Sequence, residues 1–289
     1  MDKYMNNNFS VHSNSKGNLL KGSYRDHNGI THFVKTGRLQ VRDFPGKWSI
    51  EPVIEVICHE LGKVLGAETA EQELRIARGE RLGSEFITLV CDSSDFRNGE
   101  SLIYLQGLYV QNKDNIQFEK LCRNTGCKKS LMDMLAFDLI IMNEDRHNSN
   151  VGWLMNDEGR MKLSPIYDNG YSLLYDDIKG MLKDYYRASR YCLCNAPLYQ
   201  ENFKCAERIF AENLDNDLSV NLNADRSMID CAIKRVKQEY VSLISDTPVN
   251  NIELPDIWWE RIVDFVMWRI EYVRNLRNNM AEQHDHRLS

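Results

Sequence analysis

The stretch that most narrows what this chain can become is FDLIIMNEDRHNSNVGWLMNDEGRMKLSPIYDNGYSLL, residues Phe137 to Leu174. An apolar segment, Leu135 to Met142, stops abruptly at Asn143, Glu144, Asp145, Arg146 and His147, with a further amide at Asn150. Polar side chains directly behind a hydrophobic segment suit a loop supported by a buried helix, where reactive groups are held still. Val151 to Met155 then reads as a short strand, Asn156 to Gly159 as a hairpin turn, and Met161 to Leu163 as the returning strand. The hairpin brings Asp168 back toward the first loop.

Phosphoryl transfer asks little covalent chemistry of a protein. It needs a carboxylate to orient and deprotonate a hydroxyl, and an amide with a second carboxylate to hold magnesium against nucleotide phosphates. Asp145, Asn150 and Asp168 supply those three groups in the order and spacing of a kinase catalytic loop. On the same residues, a local turn and salt-bridge cluster, or a metal-dependent hydrolase ligated by Asp145, His147 and Asp168, are the competing readings.

The pair NEDRHNSNVGWL and SPIYDNGYSLL resembles the catalytic core of the HipA-like kinases, a bacterial group related in fold to eukaryotic protein kinases and phosphatidylinositol kinases. That family carries an N-x-D-R/G-H-x-x-N loop followed by P-x-Y-D. Asn143, Asp145, Arg146, His147 and Asn150 match the first, and Pro165, Tyr167 and Asp168 the second. The resemblance implies that Asp145 is the catalytic base and that Asn150 and Asp168 are the metal ligands. Asn169 and Gly170 stand where eukaryotic kinases have Phe-Gly, which fits a HipA-like relative better. The implied fold is α+β and two-lobed, protein-kinase-like. It would have a small antiparallel β lobe with one helix over residues 1–95, binding nucleotide, and a larger, mainly helical catalytic lobe over 96–289. Full-length HipA-like toxins carry an additional amino-terminal domain for which this sequence shows no room.

The amino-terminal half is then read for the remaining kinase parts. Ser13 to Asn18 (SNSKGN), followed by Gly22, is a small polar segment before a strand pair. It suits a flexible loop over ATP phosphates, with Ser15, Lys16 and Gly17 nearest the anionic oxygens. Relatives can phosphorylate a serine in this loop, which makes Ser13 and Ser15 candidates for self-modification. Ile30 to Lys35 reads as a strand, and its FVK ending falls where the resembling kinases place the lysine that grips the phosphates, Lys35. Glu51 to Leu65 is a helix by its apolar spacing, with Pro52 in the first turn and Gly66 beyond the end. Glu51 and Glu55 both lie where a carboxylate can pair with Lys35, and Glu55 is preferred because it sits deeper in the helix.

Glu73 to Arg81 reads as a short polar helix or turn, and Phe86 to Cys91 (FITLVC) as a strand. Cys91 to Phe96 is the expected connector between lobes, with Val90 to Asp92 offering backbone groups to the adenine edge. Beyond Gly99 the chain is expected to be mainly helical, with helices over Asn115 to Cys122 and Lys128 to Ile141. Asp138 interrupts the apolar surface of the second and either braces the catalytic loop or lies at the surface. Tyr185, Tyr186, Arg187, Ser189 and Arg190 stand at the place of an activation or substrate-binding segment. Gln200 to Gln283 reads as a helical package punctuated by Pro248 and Pro255. Its last helix carries a core stripe of Trp258, Ile262, Phe265, Tyr272 and Leu276.

Composition sets outer bounds. A chain of 289 residues with 43% hydrophobic and 27% charged residues can bury a substantial core, and a net charge of -6 argues against broad nucleic-acid binding. Met1 to Asn18 is too polar for a secretory signal, and no apolar run reaches the roughly 18 residues needed to span a bilayer, so a cytoplasmic setting is expected. The eight cysteines are scattered, as free thiols in a reducing compartment would be. Cys122, Cys127, Cys192 and Cys194 lack the tight paired spacing of common zinc modules. The reading reached is an ATP- and Mg2+-dependent kinase acting on a hydroxyl, most simply Ser or Thr of a protein. A nucleotide-binding pseudokinase and a lipid or small-molecule kinase are the alternatives.

Overall fold

A computed structural model describes residues 4–5, 10–11, 19–41, 44–81, 84–108, 118–173, 175, 206–213 and 218–288. The expected phosphate loop with Ser13, Ser15, Lys16 and Gly17, the segment with Tyr185, Tyr186, Arg187, Ser189 and Arg190, and Cys192 with Cys194 lie outside those residues.

The amino-terminal half is built on a six-stranded sheet. Its strands are β1 (Tyr4–Met5), β2 (Ser10–Val11), β3 (Lys21–Arg25), β4 (Thr31–Thr36), β7 (Glu73–Arg81) and β8 (Ser84–Ser94), in the order β1-β7-β8-β4-β3-β2. All neighbours pair antiparallel except β1, which runs parallel to β7. A small hairpin, β5 (Leu39–Val41) with β6 (Phe44–Trp48), leads into helix α1 (Glu51–Leu65). The predicted bounds of α1 hold, with Pro52 in its first turn and Gly66 closing it in the left-handed conformation at φ 71°. Gly62, inside the helix, has a packing reason. A Cβ there would lie 2.6 Å from the Thr69 side chain, so the chain returning from α1 passes too close for any other residue.

Residues 73–81 correct the sequence reading of a polar helix or turn. They form the nine-residue strand β7, paired along its whole length with β8 from Glu73↔Asp92 to Arg81↔Ser84. Leu74 and Ile76 alternate into the core, while Arg75, on the other face, pairs with buried Asp92 at 2.7 Å. The charges hid a period of two that the neighbouring strand enforces. Residues 101–104 also form a strand, β9 (Ser101–Tyr104), within the part of the chain expected to be mainly helical. It pairs antiparallel with β10 (Gly152–Met155), and β10 pairs with β11 (Met161–Leu163), completing the predicted hairpin as a three-stranded sheet.

Helices make up the rest of the described carboxy-terminal half: α2 (Leu105–Leu108), α3 (Phe118–Thr125), α4 (Lys128–Ile141), α5 (Ala206–Asn213), α6 (Arg226–Asp246) and α7 (Asp256–Leu288). α4 matches its predicted bounds, and its residues from Met134 to Ile141 are buried on every side, as befits a helix at the centre of the core. α7 packs on α4. Trp258, Ile262 and Phe265 of the predicted stripe are fully buried, and Tyr272 and Leu276 pack partly buried against the same core. Arg269 lies within the stripe and donates from Nε (2.8 Å) and Nη2 (2.6 Å) to the Leu139 carbonyl, tying α7 to the helix that leads into the Asn143 to Asn150 loop. α6 packs on α1, so the sheet half and the helical half share one core.

Candidate active site

Helix α4 ends one residue before the polar run. Met142 takes a left-handed φ of 51° and its N–H bonds back to the Asp138 carbonyl, which turns the chain sharply into Asn143. The loop then folds on its own side chains. Asn143 Oδ1 accepts from the Asp145 amide at 2.9 Å, the His147 amide bonds the Asp145 carbonyl at 2.8 Å, and Asn150 Nδ2 donates to that same carbonyl at 2.9 Å. Arg146 points inward and is fully buried. Its guanidinium grips Asp138 with two bonds (2.9 and 2.8 Å), reaches the carbonyls of Asn150 (3.0 Å) and Tyr167 (2.7 Å), and donates to Asn169 Oδ1 (2.7 Å). Of the two sequence readings of Asp138, the structure has the brace and not the surface position.

Tyr167 secures the second motif against the first. Its hydroxyl donates to the Ser149 carbonyl at 3.0 Å, and its ring stacks on Phe96 with centroids 5.6 Å apart. Asp168 follows with φ 58°, a left-handed backbone that Asp tolerates better than most residues and that marks local strain held by its surroundings. Asn169 sends its backbone N–H to Glu55 Oε2 at 2.8 Å. A Cβ on Gly170 would come within 3.2 Å of Glu55 Oε1, so this segment runs hard against α1.

From the sheet side, β4 delivers Lys35. Its ammonium bonds Glu55 Oε1 at 3.1 Å and is ion-paired with Asp168. Glu55, not Glu51, is therefore the partner. Glu51, one turn earlier, pairs with Arg38 Nε at 2.6 Å. Arg38 in turn lies over the rings of Tyr171 and Tyr175, at 4.6 and 5.0 Å. Lys35, Glu55, Asn150 and Asp168 all line one cavity of about 570 Å3 between the sheet and the helical half. Asp145 stands beside it, with His147 Nε2 at 3.9 Å from its carboxylate.

The electrostatics sort the carboxylates. Burial works to raise the Asp168 pKa, but Lys35 and then Lys21 overcome it and hold the group down to about 2. Burial works to lower the Lys35 pKa, and Asp168 and Glu55 instead keep it well above the usual lysine value. Asp145 moves the opposite way. Burial lifts its pKa above the ordinary aspartate range, with His147 pulling it down and the negative charge of Asp168 pushing it up. Two aspartates in one site are thus held at different proton affinities, the arrangement expected of a base beside a permanently charged ligand.

These groups also suit a divalent cation. Asn150 is 4% exposed and commits its Nδ2 to the Asp145 carbonyl, which leaves Oδ1, a hard oxygen, for a metal. Asp168 supplies an ionised carboxylate in the same cavity. Among the described residues no group of three or more His, Cys, Asp or Glu forms a metal cluster, so a cation here would complete its shell with phosphate and water.

Along another wall of the cavity runs β8, which carries Val90 to Asp92. The backbone of Val90 to Asp92 is the expected contact for the adenine edge, and the side chains of Val90 and Asp92 turn to the face of the sheet away from the cavity. Val90 packs with Val34 and Ala77, while Asp92 is held by Tyr24 (2.7 Å), His32 (3.0 Å) and Arg75 (2.7 Å). β8 is flanked on both sides at this point, so its alternate residues Cys91 and Ser93, with Asp95 beyond, line the cavity instead. Phe33, Tyr104 and Lys21 also line it and were missed. Phe33 was reachable from the sequence, since it shares a strand face with Lys35 two residues on. Lys21 and Tyr104 depend on pairings between strands that no local pattern records.

A sheet that offers a lysine to a glutamate from the helix beneath it, facing a helical lobe that returns two aspartates and an amide, defines a protein-kinase-like fold. The chain belongs to the HipA-like C-terminal domain family, whose profile matches residues 8–238. It is similar in structure to CtkA, a proinflammatory kinase of Helicobacter pylori, with a TM-score of 0.61, 16% sequence identity, and coverage of 96% of this chain and 97% of that one. It is also similar to HipA of Shewanella oneidensis MR-1, solved with HipB and operator DNA (TM-score 0.48, 16% identity, 93% and 67% covered). A hydra Fam20 structure gives a TM-score of 0.49 at 13% identity over 94% of this chain and 84% of that one. No curated protein sequence matches the chain. No helix among the described residues is long and apolar enough to cross a membrane.

Proposed function

We propose that this chain is an ATP- and Mg2+-dependent kinase that transfers the γ-phosphoryl group to a hydroxyl, with Ser or Thr of a protein as the acceptor. The observation that carries the reading is Lys35 clasped between Glu55 and Asp168 on the wall of a cavity that also holds Asn150. Lys35 would grip the phosphates, and Glu55 holds Lys35 while its second oxygen takes the Asn169 amide. Asn150 Oδ1 and Asp168 would hold the magnesium ion, which when bound neutralises charge on the phosphates. Asp145 orients the acceptor hydroxyl and takes its proton as the acceptor oxygen bonds the γ-phosphorus. The bond from that phosphorus to the bridging oxygen breaks, and ADP leaves. The thiols of Cys58, Cys91, Cys127 and Cys231 are free, which accords with action in the cytoplasm.

The test is incorporation of labelled phosphate from ATP with magnesium by the purified chain, alone and with a casein-type protein acceptor. Asp145→Ala and Asp168→Ala are expected to abolish it. Equal labelling by all three proteins would defeat the assignment.

A further inference from the structure

We propose that a second cavity, walled by α1, α6 and the ends of β7 and β8, binds a small organic cation of the guanidinium or primary-amine class through its N–H groups. The cavity measures about 490 Å3, within the size range of small-molecule sites. Its charged wall is unbalanced. Both of its Lys and Arg side chains, Lys63 and Arg235, are tied to one carboxylate, Glu60. Arg75, from behind the wall, spans Glu73 at 2.9 Å and Asp92 at 2.7 Å. Glu239 and Glu71, which also line the cavity, have no ion pair among the described residues, and Glu71 meets only Ser94 Oγ, at 3.5 Å. Burial raises the Glu239 pKa; the Leu74 amide pulls it down, and the negative charges of Glu73 and Glu60 push it up again.

Two neutral side chains add acceptors that the fold leaves unused. His59 is 6% exposed and lines the cavity. Its Nδ1 lies 3.0 Å from Thr69 Oγ1, while Nε2 has no hydrogen-bond partner among the described residues. Burial and Lys63 hold its pKa below the usual histidine value, so at neutral pH the ring does not repel a cation. Gln72 lines the cavity with its Oε1 buried and unpaired, a cost that turning the amide toward a donor in the cavity would relieve. Among the described residues no three His, Cys, Asp or Glu form a metal-binding group, which leaves a cation whose charge is spread over N–H donors. Val56 and Val236 give such a cation an apolar surface for its methylene chain.

Calorimetric titration of the full chain with agmatine, in phosphate buffer at about pH 7.5, tests the site. Tetramethylammonium serves as a cation without N–H groups, and an acetyl-Gly-Arg-Gly-amide peptide as a guanidinium held on a chain. Agmatine is expected to bind, and Glu239→Gln to weaken it by about tenfold or more, the scale of one charge-assisted contact. Glu71→Gln, on a separate element and exposed, is expected to weaken it at least about threefold. Folded chain that takes no agmatine would overturn the proposal, as would equal binding of tetramethylammonium or agmatine affinity unchanged in both variants. Binding of the peptide without agmatine would overturn the assignment to a small free ligand.

Discussion

Arg146 and Asp138 form a two-pronged ion pair with both side chains at 0% exposure, and the same guanidinium bonds the carbonyls of Asn150 and Tyr167. One side chain therefore fixes the end of the Asn143 to Asn150 loop, the residue before Asp168 and the helix behind them. The distance between Asn150 and Asp168 is set by a buried fork, and not by either loop alone.

Arg146→Ala leaves the Asp138 carboxylate buried without its partner. The expected loss is about 3–5 kcal/mol of unfolding free energy, the usual consequence of halving a buried pair. Urea denaturation followed by circular dichroism measures it. Arg146→Lys is expected to recover little, because a lysine cannot reproduce the planar fork. A loss below about 1 kcal/mol would show that the pair is not buried as described.

Glu51 and Glu55 are separated by one helical turn and by their partners, Arg38 and Lys35. Glu55→Gln removes the charge that holds Lys35 and is expected to reduce phosphoryl transfer roughly 100-fold, on the scale of losing one preorganised electrostatic contact. Glu51→Gln disturbs the pair with Arg38 and is expected to keep transfer within about threefold. Steady-state rates for the two variants, measured side by side, test the assignment. It fails if the two losses are equal.

Asp145 must be ionised to accept a proton, and its pKa is raised, first by burial. The acid limb of the pH profile for kcat/KM is expected to lie above the ordinary aspartate value of about 3.9, with activity falling as pH drops through it. His147 pulls that pKa down. His147→Gln is therefore expected to move the limb to higher pH. A limb that stays in place or moves down would separate His147 from the base.

His59 provides a pH test away from the cleft. It is 6% exposed, its Nδ1 lies 3.0 Å from Thr69 Oγ1, and its pKa is lowered by burial and by Lys63. The unfolded chain binds a proton on this group near pH 6.5, before the folded chain does. Stability is therefore unaffected by His59 above that pH and declines as pH falls below it. In His59→Gln the decline between pH 7 and pH 5 is expected to be shallower, as read by melting temperature at each pH. Parallel curves for the two proteins would exclude the histidine as the cause.

Much of the architecture was legible because local patterns carry it. Helix α1 shows its bounds through Pro52, its apolar spacing and Gly66, and α4 and the hairpin around Asn156 to Gly159 do so through length and turn residues. Strand β7 was hidden because its charged residues pair across the sheet, so Arg75 looks solvated in sequence while it neutralises buried Asp92 in space. Which side chains of β8 line the cavity was hidden for a related reason. Alternation says that neighbours on a strand face opposite ways, but not which way either of them faces.

The sequence by itself determined the chemical inventory: Lys35, a glutamate on α1, Asp145, Asn150 and Asp168, in an order and spacing that local turns and a short hairpin are enough to produce. Only the tertiary structure decided which glutamate meets Lys35, that Arg146 is an internal fork, and that Lys21 stands across from Lys35. Those outcomes depend on strand register and on burial, contacts between residues up to 133 positions apart, such as Lys35 and Asp168. Spacing along a chain fixes what its near neighbours can do together, whereas the pairing of distant charges is set by how the whole core packs.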